Sequence, residues 1–125
     1  MNEAEDKIRV SVAQLYETIL SRQGADPEKS YVASLISKGE DAILQKVGEE
    51  AFELVLAAKN HQGSTDPASK ETTKIAVVKE LADLWFHQLV WMAQADITPE
   101  DVELELGRRF GQSGLEEKRN RENNH

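Results

Sequence analysis

The sequence predicts an all-α fold, a helical bundle of four main helices, and three observations carry that prediction. The 125 residues contain only three prolines and seven glycines, and these fall where helices would be punctuated. Apolar residues recur at three- and four-residue spacing along most of the chain. No run of strand-like alternation competes with that period, and no internal repeat is apparent, so layers of helices must make the core. The length suits one domain, residues 1–125, ending in a polar segment (112–125) expected to be a flexible tail.

The first helix is expected over 3–23, where Ile8, Val12, Leu15, Tyr16 and Ile19 share a face. GADPEKS (24–30) reads as a turn, with Ser30 capping a short helical piece to Ile36 that Gly39 ends. A second long helix is expected over 40–59. HQGSTD (61–66) then leads to Asp66-Pro67, an N-cap followed by proline at the first helical position. That signal opens a third long helix reaching about Ala95. Thr98-Pro99, with Asp101 at the third helical position, opens a fourth that ends near Phe110.

Composition narrows the function classes. There are 23 acidic and 15 basic residues, a net charge of −8, which argues against non-specific binding to nucleic acid or anionic lipid. Cysteine is absent, so disulfides, thiolate metal sites and a cysteine nucleophile are excluded. The N-terminal MNEAEDKIRV lacks the apolar run of a signal peptide, and nothing in the sequence is apolar enough to span a bilayer. A cytoplasmic protein is the expectation. One copy would make only a modest core, so packing against a second chain is also expected.

The acids are the informative residues. On the second long helix, Ile43, Leu44, Val47, Ala51, Leu54, Val55 and Ala58 form one apolar stripe, with Glu50 at its border, Glu53 beside it and Glu49 further round. Glu49/Glu53 and Glu50/Glu53 are helix-surface neighbours that repel by about 0.2–0.5 kcal/mol per pair, and Lys46 is the only base within a turn. The third long helix is apolar nearly all round, which predicts burial, yet Glu80, Asp83 and His87 share one sector of it. Buried carboxylates need a partner, and a cation supplies one. Glu50-x-x-Glu53 facing Glu80-x-x-Asp83 would converge four oxygen donors, a set that suits Mg²⁺ or Mn²⁺. Either motif alone would read as a solvated helix face. His87 alone reads as a hydrogen-bonded structural histidine more readily than as a ligand, and Trp85 and Trp91 read as core or interface residues.

Glu50-x2-Glu53, twenty-six residues, then Glu80-x2-Asp83 resembles the signature of the all-α nucleoside triphosphate pyrophosphohydrolases, the MazG-like superfamily. SYVASLISKGEDAILQKVGEEAFELVLAAKN (30–60), KELADLWFHQLVWM (79–92) and RRFGQSGLEEKRNR (108–121) narrow the resemblance to the phosphoribosyl-ATP pyrophosphatases of histidine biosynthesis. The resemblance implies hydrolysis of 1-(5-phosphoribosyl)-ATP between its α- and β-phosphates, giving phosphoribosyl-AMP and pyrophosphate. It implies Mg²⁺ on Glu50, Glu53, Glu80 and Asp83, with Glu49 either ligating a metal or orienting the attacking water. Lys46, Arg108, Arg109, Lys118 and Arg121 are then the expected contacts for the outlying phosphates, and the tail becomes a segment that orders over substrate. The superfamily also implies a homodimer or higher homo-oligomer. Two other functions stay open at this point. One is a general pyrophosphohydrolase of surplus nucleoside triphosphates, which would share the same acids. The other is a non-enzymatic acidic helical module, although neither acid-bearing helix carries the Glu-x-x-His pair of a di-iron bundle.

Overall fold

Capping chemistry sets most of the helix ends. In the computed structural model, which describes residues 7–111, 119 and 121–123, five helices follow one another: α1 (Val12–Ser21), α2 (Tyr31–Ser37), α3 (Glu40–Gly63), α4 (Pro67–Gln94) and α5 (Pro99–Phe110). No strand occurs among the described residues. Ser30, Asp66 and Thr98 each accept a backbone N–H from the first turn of α2, α4 and α5, as the sequence predicts. Thr98 and Asp101 complete a reciprocal capping box, at 3.1 and 2.9 Å. Gly39 caps α3 with φ +97°, a backbone conformation that side chains resist, while Glu40 and Asp41 place negative charge on the exposed N–H groups. Residues 119 and 121–123 are helical, and the rest of the expected tail lies outside the described residues.

Two boundaries differ from the sequence expectation. Among the described residues, α1 begins at Val12, not in the region of Glu3, because Ser11 and Gln14 close a capping box at 2.8 and 3.1 Å. Ile8 continues the helical spacing but is 88% exposed, so its apolar character marks no helix. At the other end, α3 runs on to Gly63, where His61 Nδ1 and the Thr73 hydroxyl lie 2.8 Å apart and tie the end of α3 to α4.

α3 and α4, joined by residues 64–66, form a long antiparallel hairpin with the most extensive helix–helix interface among the described residues. The core sits at one end of it. Ile43 near the start of α3 and Leu89, Val90 and Ala93 near the end of α4 meet Tyr16 and Ile19 of α1 and Val32 and Leu35 of α2. The Tyr16 hydroxyl donates to the Ile97 carbonyl at 2.8 Å, and Trp91 Nε1 donates to Glu40 Oε1 at 3.0 Å, fastening this end.

The other end of the hairpin is bare. Phe52, Val55 and Leu56 on α3 and Ile75 and Val78 on α4 are about half exposed or more. The expectation that α4 is buried nearly all round therefore does not hold within one chain: Trp85 is also 54% exposed. The periodicity reported apolar side chains correctly, but α1 and α2 reach only the C-terminal third of α4.

Candidate metal centre

Equal arms align the acids. Glu50 lies thirteen residues before Gly63, and Glu80 lies thirteen after Pro67. At the α-helical rise each arm is about 20 Å long, so antiparallel packing sets the two carboxylates at one height. Asp83, one turn further along α4, joins them. One carboxylate oxygen from each of Glu50, Glu80 and Asp83 falls within 4.8 Å of the other two.

The electrostatics of this trio are unfavourable as they stand. Glu50 Oε2 and Glu80 Oε2 are buried without a hydrogen-bond partner. Burial, followed by the charges of Glu53 and Asp83, pushes the Glu50 carboxyl up to about 7. Burial, then Glu53 and Asp83, raises Glu80 as well. Glu53 is exposed and outside the 4.8 Å trio, yet its charge contributes to the upward shift of both Glu50 and Glu80. Two orphaned buried oxygens within an all-oxygen set are what a hard divalent cation satisfies, so these residues fit Mg²⁺ or Mn²⁺.

The remaining predicted residues divide. Glu49 stands apart from the trio: Gln45 Nε2 donates to its Oε1 at 2.9 Å, and Lys46 Nζ lies 3.6 Å from its Oε2. The Gln45 hydrogen bond, helped by the Lys46 charge, holds the Glu49 carboxyl below its ordinary range. Lys46 is thus engaged with a neighbour on its own helix. Arg108 and Arg109 both bind Glu105, with each Nε 2.9 Å from one of its oxygens, and hold that carboxyl down to about 2. This i,i+3 and i,i+4 pairing was readable from spacing alone. Lys118 lies outside the described residues. Arg121 is half-buried, with an Nε that finds no hydrogen-bond partner among the described residues.

His87, although in line with Glu80 and Asp83, is not among the converging donors. It is 5% exposed, and both ring nitrogens are engaged: Nδ1 lies 2.8 Å from the Asp83 carbonyl oxygen and Nε2 lies 3.1 Å from the Tyr31 hydroxyl. The Tyr31 ring also stacks on Phe86, with centroids 5.8 Å apart. Sequence periodicity had no means of finding this contact, because Tyr31 and His87 are 56 residues apart on different helices.

Comparison with known proteins identifies the family. Residues 12–110 match the family described as phosphoribosyl-ATP pyrophosphohydrolase. A phosphoribosyl-ATP pyrophosphatase of Janthinobacterium sp. (strain Marseille) is 58% identical over 95 residues, which cover 76% of this chain and 78% of that protein. One from Ralstonia pickettii (strain 12J) is 52% identical over 113 residues, 86% of this chain and 87% of the relative. One from Cupriavidus metallidurans is 51% identical over 120 residues, 96% of each.

Proposed function

Since the chain belongs to the phosphoribosyl-ATP pyrophosphohydrolase family, we propose that it hydrolyses 1-(5-phosphoribosyl)-ATP to phosphoribosyl-AMP and pyrophosphate, the second step of histidine biosynthesis, using Mg²⁺ or Mn²⁺. The observation that carries the metal half of this reading is the convergence of Glu50, Glu80 and Asp83, two of them with orphaned buried oxygens.

Those three carboxylates, with Glu53 beside them, would hold the cation. When bound, such an ion supplies Lewis acidity toward phosphoryl oxygens, a more acidic water and compensation of the local negative charge. The chain's own acids do the placing. Glu49, kept ionised by Gln45 and Lys46 and standing outside the trio, is suited to align a water by accepting its hydrogen bond. Outlying phosphates fall to cations. Lys46 and the arginines of α5 would exchange Glu49 and Glu105 for phosphate oxygens, and Lys118 and Arg121 would add charge from the end of the chain.

A second copy is part of the proposal. A groove of about 610 Å³, lined by Leu44, Val47, Trp85, Leu89, Val102 and Leu106 among others, runs along apolar side chains from several helices. Together with the bare half of the hairpin this is more apolar surface than an isolated small domain ordinarily exposes. A homodimer or larger homo-oligomer would cover it. We place the reaction in the cytoplasm, the setting of nucleotide biosynthetic chemistry; no helix among the described residues is long and apolar enough to cross a membrane.

Pyrophosphate release should be measured from phosphoribosyl-ATP beside dUTP and dCTP. Clear preference for phosphoribosyl-ATP is expected; equal or better turnover of the deoxynucleotides would replace the proposal with a general nucleotide pyrophosphohydrolase. Glu80→Gln should abolish turnover and keep the helical circular dichroism. Undiminished turnover would remove the metal assignment.

A further inference from the structure

The Tyr31–His87 contact has no task in the chemistry above, and packing does not account for it. Tyr31 is 53% exposed, and its ring already stacks on Phe86, so a phenylalanine would serve the core equally well. What the tyrosine adds is a hydroxyl aimed at a buried histidine. We propose that Tyr31 and His87 are positioning residues that hold the Asp83 turn of α4 in place for cation binding. This inference rests on the metal reading of Glu50, Glu80 and Asp83.

The hydrogen-bond directions follow from the partners. The Asp83 carbonyl can only accept, so His87 Nδ1 carries the proton and donates to it at 2.8 Å. In the neutral imidazole Nε2 is then the lone-pair nitrogen, 3.1 Å from the Tyr31 hydroxyl that donates to it. The imidazole is thereby fixed in rotation by a contact at each nitrogen, and it grips the backbone of the residue whose side chain faces Glu50 and Glu80. Tyr31 in turn is the first residue of α2, held by the Ser30 cap, in which the Ser30 hydroxyl accepts from Ala33 N–H at 3.2 Å. The chain of contacts therefore runs from a capped helix end through an imidazole to the Asp83 peptide.

Such a clamp has a physical purpose. Asp83 is exposed and shares a small volume with other carboxylates, whose repulsion favours its swinging outward. Outer partners that fix the orientation of metal-binding groups commonly account for about 10–100-fold in metal affinity. Acting here through the backbone, the pair is expected at the lower end.

The test reads metal directly. Mn²⁺ binding to the whole chain, without substrate, is followed by the electron paramagnetic resonance signal of the free ion. Tyr31→Phe removes one oxygen and is expected to weaken Mn²⁺ binding by about tenfold. Its thermal midpoint in EDTA should stay close to that of the unaltered chain. His87→Ala should lose at least as much affinity. His87→Asn, whose side-chain N–H can reach the same carbonyl, should recover at least threefold of that loss. Unchanged Mn²⁺ affinity in Tyr31→Phe, or no recovery in His87→Asn, overturns the inference while leaving the metal reading intact. Failure of the unaltered chain to bind Mn²⁺ overturns both.

Discussion

Replacing Glu50 with glutamine in the metal-free protein should stabilise it at alkaline pH. The Glu50 carboxyl sits at about 7, against an ordinary 4.5, chiefly because of burial and then the charges of Glu53, Asp83 and Glu80. The sign follows directly. A raised carboxyl means that the folded chain holds its proton more tightly than the unfolded chain does. Folding therefore incurs no penalty below about pH 4.5 and loses stability progressively up to and just beyond pH 7. The full difference corresponds to about 3.4 kcal/mol. Glu53 and Asp83 are open to water, and screening there reduces the figure to about 1–2 kcal/mol. For a chain of this length that is a rise in thermal midpoint of about 4–8 °C. Melts at fixed protein concentration in EDTA should show this advantage for Glu50→Gln at pH 8 and almost none at pH 5. Mg²⁺ at about a hundred times its Kd should reverse the order, because only the unaltered site gains the stabilisation of a bound ligand, about 2.7 kcal/mol. A Glu50→Gln variant that melts at or below the unaltered protein at pH 8 in EDTA would refute the account of crowded acids.

Three further outcomes are expected. Tyr16→Phe deletes the hydrogen bond to the Ile97 carbonyl and should cost about 1 kcal/mol by urea titration, with metal binding unchanged. Trp85→Glu puts a charge on the apolar groove and should bring the mass seen by light scattering down to the 14.0 kDa of one chain. Deleting residues 112–125 removes Lys118 and Arg121 and should lower kcat/KM for phosphoribosyl-ATP at least tenfold, mainly through KM; an unchanged value would exclude the tail from substrate binding.

What the sequence made legible was mostly local. Ser30, Asp66 and Thr98 announced their helices because an N-cap acts over three residues, and the structure keeps all three. The start of α1 was misjudged because Ile8 extends the period while Ser11 and Gln14 cut it. Apolar spacing on α4 reported a face that wants covering but not what covers it, and so Trp85 was read as core or interface, and within one chain it is exposed. The site shows the same division. Glu50, Glu80 and Asp83 were legible because an acid strip on an apolar helix is costly without a partner. The Tyr31–His87 contact was not, since nothing in a linear pattern ties two aromatic rings across 56 residues. Glu105 was overlooked although its spacing to Arg108 and Arg109 was in plain view.

The matched arms on either side of residues 64–66 impose a rule about length on any descendant of this chain. One residue gained between Glu53 and Gly63, or between Pro67 and Glu80, would turn an acid pair through about 100° and slide it about 1.5 Å along its neighbour. The same residue gained within 64–66 changes only a surface turn and leaves both counts intact. Drift in length is therefore tolerable at the bend and forbidden along the two arms, even where their side chains face water. Over those segments the spacing is under stricter constraint than the identity of most residues that fill it.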